Sequence, residues 1–295
     1  MNIQAFLSEN RCTPIRLGQS GADVYDVNGE LILKHVDRAK LDPARFDTYR
    51  REALFYRAKA GSPYLPVVLE AEVTGDGIVL LLKRYPCPDR AALDEALLRK
   101  ISRTLARIHT DSVPAFLDRG PDAPELLTDR QADECLSGWK SVLEEHPGAF
   151  DASVLEDAAE KINGIIAWHS AGEQVLAHGD FHWENLLLGE NGDVLACDWQ
   201  AVSPGGASGD LSFFMSRLSS DGVRVDPALW LRLYADAVKD LTGRAPDPET
   251  LAGHIAAANV ITTFLFWHLY LHGADEDRVR GIYGKMAEDL RKITL

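Results

Sequence analysis

Three side chains in one short stretch have the types and spacing to do chemistry together: Asp180, Asn185 and Asp198, inside Leu176 to Gln200, LAHGDFHWENLLLGENGDVLACDWQ. An aspartate accepts a proton, and the oxygens of asparagine and aspartate are hard donors that suit a divalent cation such as magnesium. The segment reads as an apolar strand, a loop holding Asp180, and a hairpin from Leu186 to Cys197 turning at Glu190 to Asp193. Such a hairpin brings its two flanking residues, Asn185 and Asp198, close together. Taken singly, the residues have plainer readings: Asp180 as a turn aspartate capping backbone amides, Asp198 as a strand-end cap. His178 and His182 add a zinc-hydrolase reading, although their spacing suits packing of the loop better.

The elements that must position these residues begin upstream. Residues 15–36, IRLGQSGADVYDVNGELILKHV, carry strand-like apolar residues broken by Gly18, Gly21 and the Asn28-Gly29 pair, a hairpin signature. Alternation along Leu31 to Val36 puts Lys34 on the face of Ile32 and Val36. From Pro43 to Ala60, Phe46, Tyr49, Ala53 and Tyr56 recur at helical spacing, and Glu52 borders that apolar face. A second hairpin spans 67–85 around Gly75-Asp76-Gly77, and Pro86 and Pro88 then mark a hinge. This predicts a β-rich lobe over 1–85 and a helical lobe over 86–295.

In the second lobe the pattern is helical from Asp89, with Leu98, Ile101, Leu105 and Ile108 on one stripe. Further helices are predicted near 131–145, 152–169, 211–218, 227–241, 248–272 and 275–293. His109 reads as a satisfied buried histidine. Val260, Phe264, Trp267 and Leu271 form a stripe that reads as core, with Trp267 placed to stack an acceptor from its edge. The acidic run Asp275, Glu276, Asp277 reads as a helix start, or as a receiver of ammonium groups.

Composition narrows the partners. With 45 acidic against 31 basic side chains the formal charge is −14, a field that repels nucleic acid and attracts cations. Hydrophobic content of 46% and charged content of 26% are those of an ordinary globular chain. The four cysteines are far apart, without C-x-x-C spacing, which fits a reduced, cytoplasmic protein. No basic leader precedes an apolar core, and the apolar run Ile78 to Leu82 is too short for a bilayer, so neither secretion nor a membrane partner is expected.

The order base, asparagine, aspartate is that of kinase catalytic centres. With Lys34 and Glu52 upstream, the chain resembles the aminoglycoside phosphotransferase and choline kinase-type small-molecule kinases, a branch of the protein-kinase-like fold, over Gly18 to Asp210. The resemblance implies an α+β bilobal architecture with ATP or GTP and Mg2+ as cofactors. It implies Asp180 as catalytic base in His178-Gly179-Asp180-x-x-x-x-Asn185, and Asn185 and Asp198 as magnesium ligands. It also implies Lys34 on the phosphates, Glu52 as its partner, a nucleotide loop with the backbone N–H groups of Ser20, Gly21 and Ala22, and Asp210 as a prop of the catalytic loop. A helix N-cap is a compatible reading of Asp210.

The expected activity is transfer of the γ-phosphate to a hydroxyl of a small, cationic acceptor, most of all an aminoglycoside-type antibiotic. A metabolic kinase of choline, an amino alcohol or a sugar is the alternative, and a silent nucleotide-binding scaffold the alternative of another class. Both monomer and homodimer are compatible with the sequence. No A-P-E motif follows Asp198, which argues against a protein substrate. Gln200 departs from the family pattern, which commonly has an acidic residue after the D-W pair.

Overall fold

The computed structural model describes residues 3–15, 21–117 and 125–293. In chain order the elements are α1 (Ile3–Glu9), β1 (Cys12–Pro14), β2 (Asp23–Val27), β3 (Leu31–Asp37), α2 (Pro43–Ala58), β4 (Val68–Val73), β5 (Gly77–Lys83) and α3 (Glu95–His109). There follow α4 (Asp129–Glu144), α5 (Ser153–Ser170), β6 (Gln174–Ala177), β7 (Leu186–Leu188), β8 (Val194–Ala196), β9 (Ser203–Gly206), α6 (Ala207–Ser220), α7 (Pro227–Thr242), α8 (Pro248–Phe266) and α9 (Glu276–Leu290). The chain divides into two compact units, one of Met1–Asp118, Val175–Pro204 and Phe213–Ala245, the other of Arg119–Gln174, Gly205–Ser212 and Pro246–Leu295.

The first unit is built on a five-stranded sheet in the order β1-β2-β3-β5-β4, antiparallel throughout. The β2–β3 turn is the predicted one: Asn28 and Gly29 both take positive φ, 59° and 80°, as a turn matching the strand twist requires. The register sets Lys34 opposite Val24 on one side and Leu80 on the other. One face of the sheet buries Val27, Leu33, Val79 and Leu81, with Ile3, Phe6 and Leu7 of α1 packed on them. Helix α2 packs against β4 and β5. It starts at Pro43 because Asp42 accepts a hydrogen bond from the Arg45 amide at 2.9 Å and Pro43 needs none. Its buried face carries Tyr49, Glu52, Phe55 and Tyr56.

Past the proline linker the helical pattern starts later than the sequence suggests. Asp89 caps only a 3-10 turn over Arg90–Ala92, and Asp94 caps α3, whose stripe Leu98, Ile101, Leu105 and Ile108 is buried as expected. Helix α3 packs on α7. His109 is buried and bonded to the Tyr234 hydroxyl at 2.8 Å, a structural histidine.

The second unit has a helical core of Trp139, Val142, Leu155, Ile162, Val260, Phe264, Val279 and Tyr283 from α4, α5, α8 and α9. Pro248–Tyr270, α8 with the 3-10 turn after it, is long and apolar enough to cross a bilayer by length and composition. Among its residues Val260 and Phe264 are fully buried and belong to that core, so its apolar character has a packing reason. Leu271 is buried too, and Asp275 caps α9 through the Arg278 amide, which gives the acidic run its helix-start reading. All four cysteines are free.

Candidate active site

Strand β3 carries Lys34 and helix α2 carries Glu52, eighteen residues apart in sequence and in direct contact in space. Lys34 Nζ donates to Glu52 Oε2 at 2.7 Å and to Asp198 Oδ1 at 3.3 Å, and it lies 5.1 Å from the Tyr49 ring centre. Glu52 is 2% exposed, and the Lys34 side chain 13%. Burial penalises the ammonium, yet the carboxylates of Glu52 and Asp198 outweigh it and hold the Lys34 pKa above its ordinary value. For Glu52 burial is the larger effect, raising its carboxyl against the pull of Lys34.

The loop after β6 sets Asp180. Gly179 precedes it at φ +79°, where a Cβ would stand 2.4 Å from the Ala201 carbonyl oxygen, so only glycine fits this turn. His178 is fully buried, bonds the Cys197 carbonyl at 3.0 Å through Nε2, and accepts the Asp180 amide at 3.3 Å through Nδ1. That is the packing role expected of it.

Asn185 Nδ2 donates to both the Asp180 carbonyl, at 2.9 Å, and the Asp180 carboxylate, at 3.1 Å. Two oxygen acceptors fix which end of the amide faces Asp180 and turn Asn185 Oδ1 away from it. The Asp180 carboxylate is therefore held by a side chain, the Asn185 amide. The hairpin between β7 and β8 returns the chain to this point, with the Cys197 amide bonded to the Asn185 carbonyl at 2.9 Å.

Asp198 sits just past β8 at φ +62°, in the left-handed region. Its neighbour Trp199 is wholly buried, stacked on Phe55 of α2 at 4.3 Å between ring centres and close to His178 at the same distance. Anchored so, Asp198 meets Lys34 on one side and accepts from Gln200 Nε2 at 2.6 Å on the other.

Sequence reading missed the weight of two residues here. His182 touches both candidate residues: its Nε2 lies 3.1 Å from Asn185 Nδ2 and 3.5 Å from the Asp180 carboxylate, and its Nδ1 lies 2.6 Å from Glu184 Oε2. Burial opposes the imidazolium, but the two carboxylates outweigh it and raise the His182 pKa. Burial likewise pushes Asp180 up, while His182, His178 and the Asn185 amide outweigh it and hold the carboxyl below the ordinary carboxylate range. Gln200 is the second, and its departure from the family pattern was the available signal.

The remaining candidates are placed less closely. Gly21 and Ala22 stand at the entrance to β2, and Ser20 lies outside the described residues. Asp210 is buried within the first turn of α6, which starts at Ala207 rather than at the predicted Leu211. The N-cap reading of Asp210 therefore fails, because the residue is already inside the helix. Among the described residues no group of three or more His, Cys, Asp and Glu side chains is gathered to hold a metal ion.

A model of the phosphotransferase enzyme family matches residues 11–254. The chain belongs to that family. Solved structures place this phosphotransferase within the protein-kinase-like fold. It is similar to the ADP-bound aminoglycoside phosphotransferase APH(2'')-Ib, at 14% identity and a TM-score of 0.57, with 99% of each chain covered. It is also similar to the ethanolamine kinase of Plasmodium vivax, at 11% identity and a TM-score of 0.60, covering 99% of this chain and 86% of that one. A third similar structure is the choline kinase of Cryptosporidium parvum, at 11% identity and a TM-score of 0.55, covering 97% and 89%. No curated protein matches the phosphotransferase sequence.

Proposed function

We propose that the protein transfers the terminal phosphoryl group of ATP or GTP to a hydroxyl of a small, amine-bearing molecule, an aminoglycoside-type antibiotic being the first candidate. The observation that carries this reading is a pair of contact sets, Lys34 with Glu52 and Asp198, and Asn185 with Asp180, tied together where the Cys197 amide bonds the Asn185 carbonyl. Phosphoryl transfer asks a protein mainly for position and charge neutralisation, and this set supplies both.

Asp180 is the group at the acceptor. Kept ionised by its neighbours, it takes the hydroxyl proton as the acceptor oxygen bonds to the γ-phosphorus and the bond to the bridging oxygen breaks. Lys34, held charged, serves the α- and β-phosphates, and Glu52 keeps its ammonium in place. The turn with Ser20, Gly21 and Ala22 is the proposed cover of the phosphates, through backbone N–H groups.

The donor chemistry fits magnesium. Asn185 Oδ1 is turned away from Asp180, and the Asp198 side chain is 41% exposed, with its Oδ1 engaged by Lys34 and Gln200. Both offer hard oxygen to a small divalent cation. Magnesium supplies neutralisation of phosphate charge when bound.

Two observations support an amine-bearing acceptor: the formal charge of −14, and the similarity in fold to an aminoglycoside phosphotransferase, an ethanolamine kinase and a choline kinase. The last two favour a metabolic amino-alcohol kinase as the second reading. We place the reaction in the cytoplasm, where the nucleotide is available.

The test is ADP or GDP release by purified protein with magnesium against aminoglycosides, choline, ethanolamine and sugars. Asp180→Asn should lower turnover by about 10²–10⁴-fold while sparing nucleotide affinity. Unchanged turnover in that variant refutes the role of Asp180, and no release with any acceptor refutes the proposed class.

A further inference from the structure

One carboxylate beside the candidate centre gathers an unusual share of positive charge. Glu184 stands between the Asp180 and Asn185 positions, in the 3-10 turn Trp183–Asn185. His182 Nδ1 approaches it at 2.6 Å, Arg217 of α6 at 3.8 Å, and the Arg90 guanidinium hydrogen-bonds to it. Arg90 does more than pair with Glu184. Its other terminal nitrogen reaches Asp221 at 2.9 Å, and its guanidinium lies 5.9 Å from the ring centre of Trp183. Trp183 itself is 5% exposed.

The placement of Arg90 in the chain matters as much as its contacts. It opens the short turn capped by Asp89, immediately after the Pro86–Pro88 linker, and the linker itself is tied to β7, since the Leu188 amide bonds the Pro86 carbonyl at 2.8 Å. Arg90 is thus a fork with one tine on the 182–185 turn and the other on the end of α6. A planar, always-charged guanidinium with two separate carboxylate partners and an aromatic neighbour resists rotation in a way that lysine cannot reproduce.

The 182–185 turn has one task in the geometry above, to keep the Asn185 amide on Asp180. Its own backbone gives little help, being a single 3-10 turn whose first residue makes no side-chain cap. We propose that Arg90 is a positioning residue for phosphoryl transfer: through Glu184 and Trp183 it holds the turn that aligns Asn185 with Asp180, and Asp221 holds Arg90. The proposal rests on the phosphotransferase reading for its kinetic consequence, but its structural consequence stands apart from any acceptor.

The experiment has two arms. In the first, hydrogen exchange at the backbone amides of 181–186 is followed in the wild type, Arg90→Ala and Arg90→Lys. Arg90→Ala should raise exchange there by tenfold or more while exchange in β3 and β5 is unchanged, with Arg90→Lys intermediate. In the second, with the acceptor that the wild type turns over, Arg90→Ala should lower kcat by about 10–100-fold, the penalty of misplacing a catalytic group by around an ångström, with the nucleotide KM nearly unmoved. Glu184→Gln should give the same loss, and the double variant should lose no more than either single one.

Unchanged exchange at 181–186 in Arg90→Ala overturns the proposal. So does an additive double variant, or a kcat loss matched by a loss of folded protein across the whole chain. Failure of the wild type to turn over any acceptor counts against the function and leaves the exchange arm to decide this inference.

Discussion

Replacing Lys34 by Met removes one partner from a pair whose other member is almost wholly buried. The methionine keeps an apolar stem and removes the ammonium that lies 2.7 Å from Glu52 and 5.1 Å from the Tyr49 ring centre. Glu52 is 2% exposed, so its charge is left in the interior with a backbone hydrogen bond near Trp199 but without its cation, a change that costs about 3–5 kcal/mol at neutral pH. In a unit of this size that is a fall in Tm on the order of 10 °C. The loss should depend on pH with a definite sign. Burial already raises the Glu52 carboxyl, and loss of Lys34 raises it further, so the folded pKa lies above that of the unfolded chain.

A group of that kind favours the fold most below its unfolded pKa, about 4.3, and the benefit fades as pH rises toward the folded value. Lys34→Met should therefore be nearest to wild type at about pH 4.5 and weakest at pH 8. Lys34→Met/Glu52→Gln, with no charge to strand, should recover part of the deficit and lose the slope. Urea unfolding followed by tryptophan fluorescence at several pH values reads both. A single variant within about 1 kcal/mol of wild type at pH 8, or a double variant no better than the single, refutes the argument that Lys34 neutralises a buried charge.

Two other outcomes are expected. Burial, with His254 adding to it, lowers the His169 pKa to about 4, so the folded chain resists protonating it; stability is then full above about pH 6.5 and falls by about 2 kcal/mol toward pH 4. His169→Asn should remove that part of the acid slope in a denaturation series, and a slope identical to wild type rejects it. Gly179→Ala combines a positive φ with a Cβ at 2.4 Å from a carbonyl oxygen, so it should cost about 3 kcal/mol or more and abolish turnover; near-wild-type Tm and activity would contradict the reading of that turn.

Much of the site was legible because its signals are local. Asn28-Gly29, the hairpin between Asn185 and Asp198, and the Tyr49–Tyr56 stripe of α2 each follow from turn chemistry or periodicity, and together they bring Lys34, Glu52 and Asp198 into contact. What was illegible depends on contacts remote in sequence. Arg90 meets Glu184 only because the chain returns after ninety-four residues, and nothing in the spacing of either residue announces it. His182 was read as packing because a histidine in a turn has no periodic partner to reveal its neighbours. The late start of α3 reflects the cap at Asp94, which periodicity does not register, and α6 begins four residues before its apolar stretch.

Asp198 is constrained twice, by charge and by conformation. Its φ of +62° is a conformation that aspartate and asparagine adopt more readily than alanine, for which it costs about 1–2 kcal/mol. Alanine at this position would remove the carboxylate and, in the same stroke, strain the backbone path that carries Trp199 onto Phe55. Inactivity in Asp198→Ala is thus uninformative about magnesium. Asparagine keeps the backbone and deletes only the negative charge, so Asp198→Asn is the informative substitution, and its difference from Asp198→Ala measures how much of the centre depends on the path of the chain rather than on the carboxylate at the end of it.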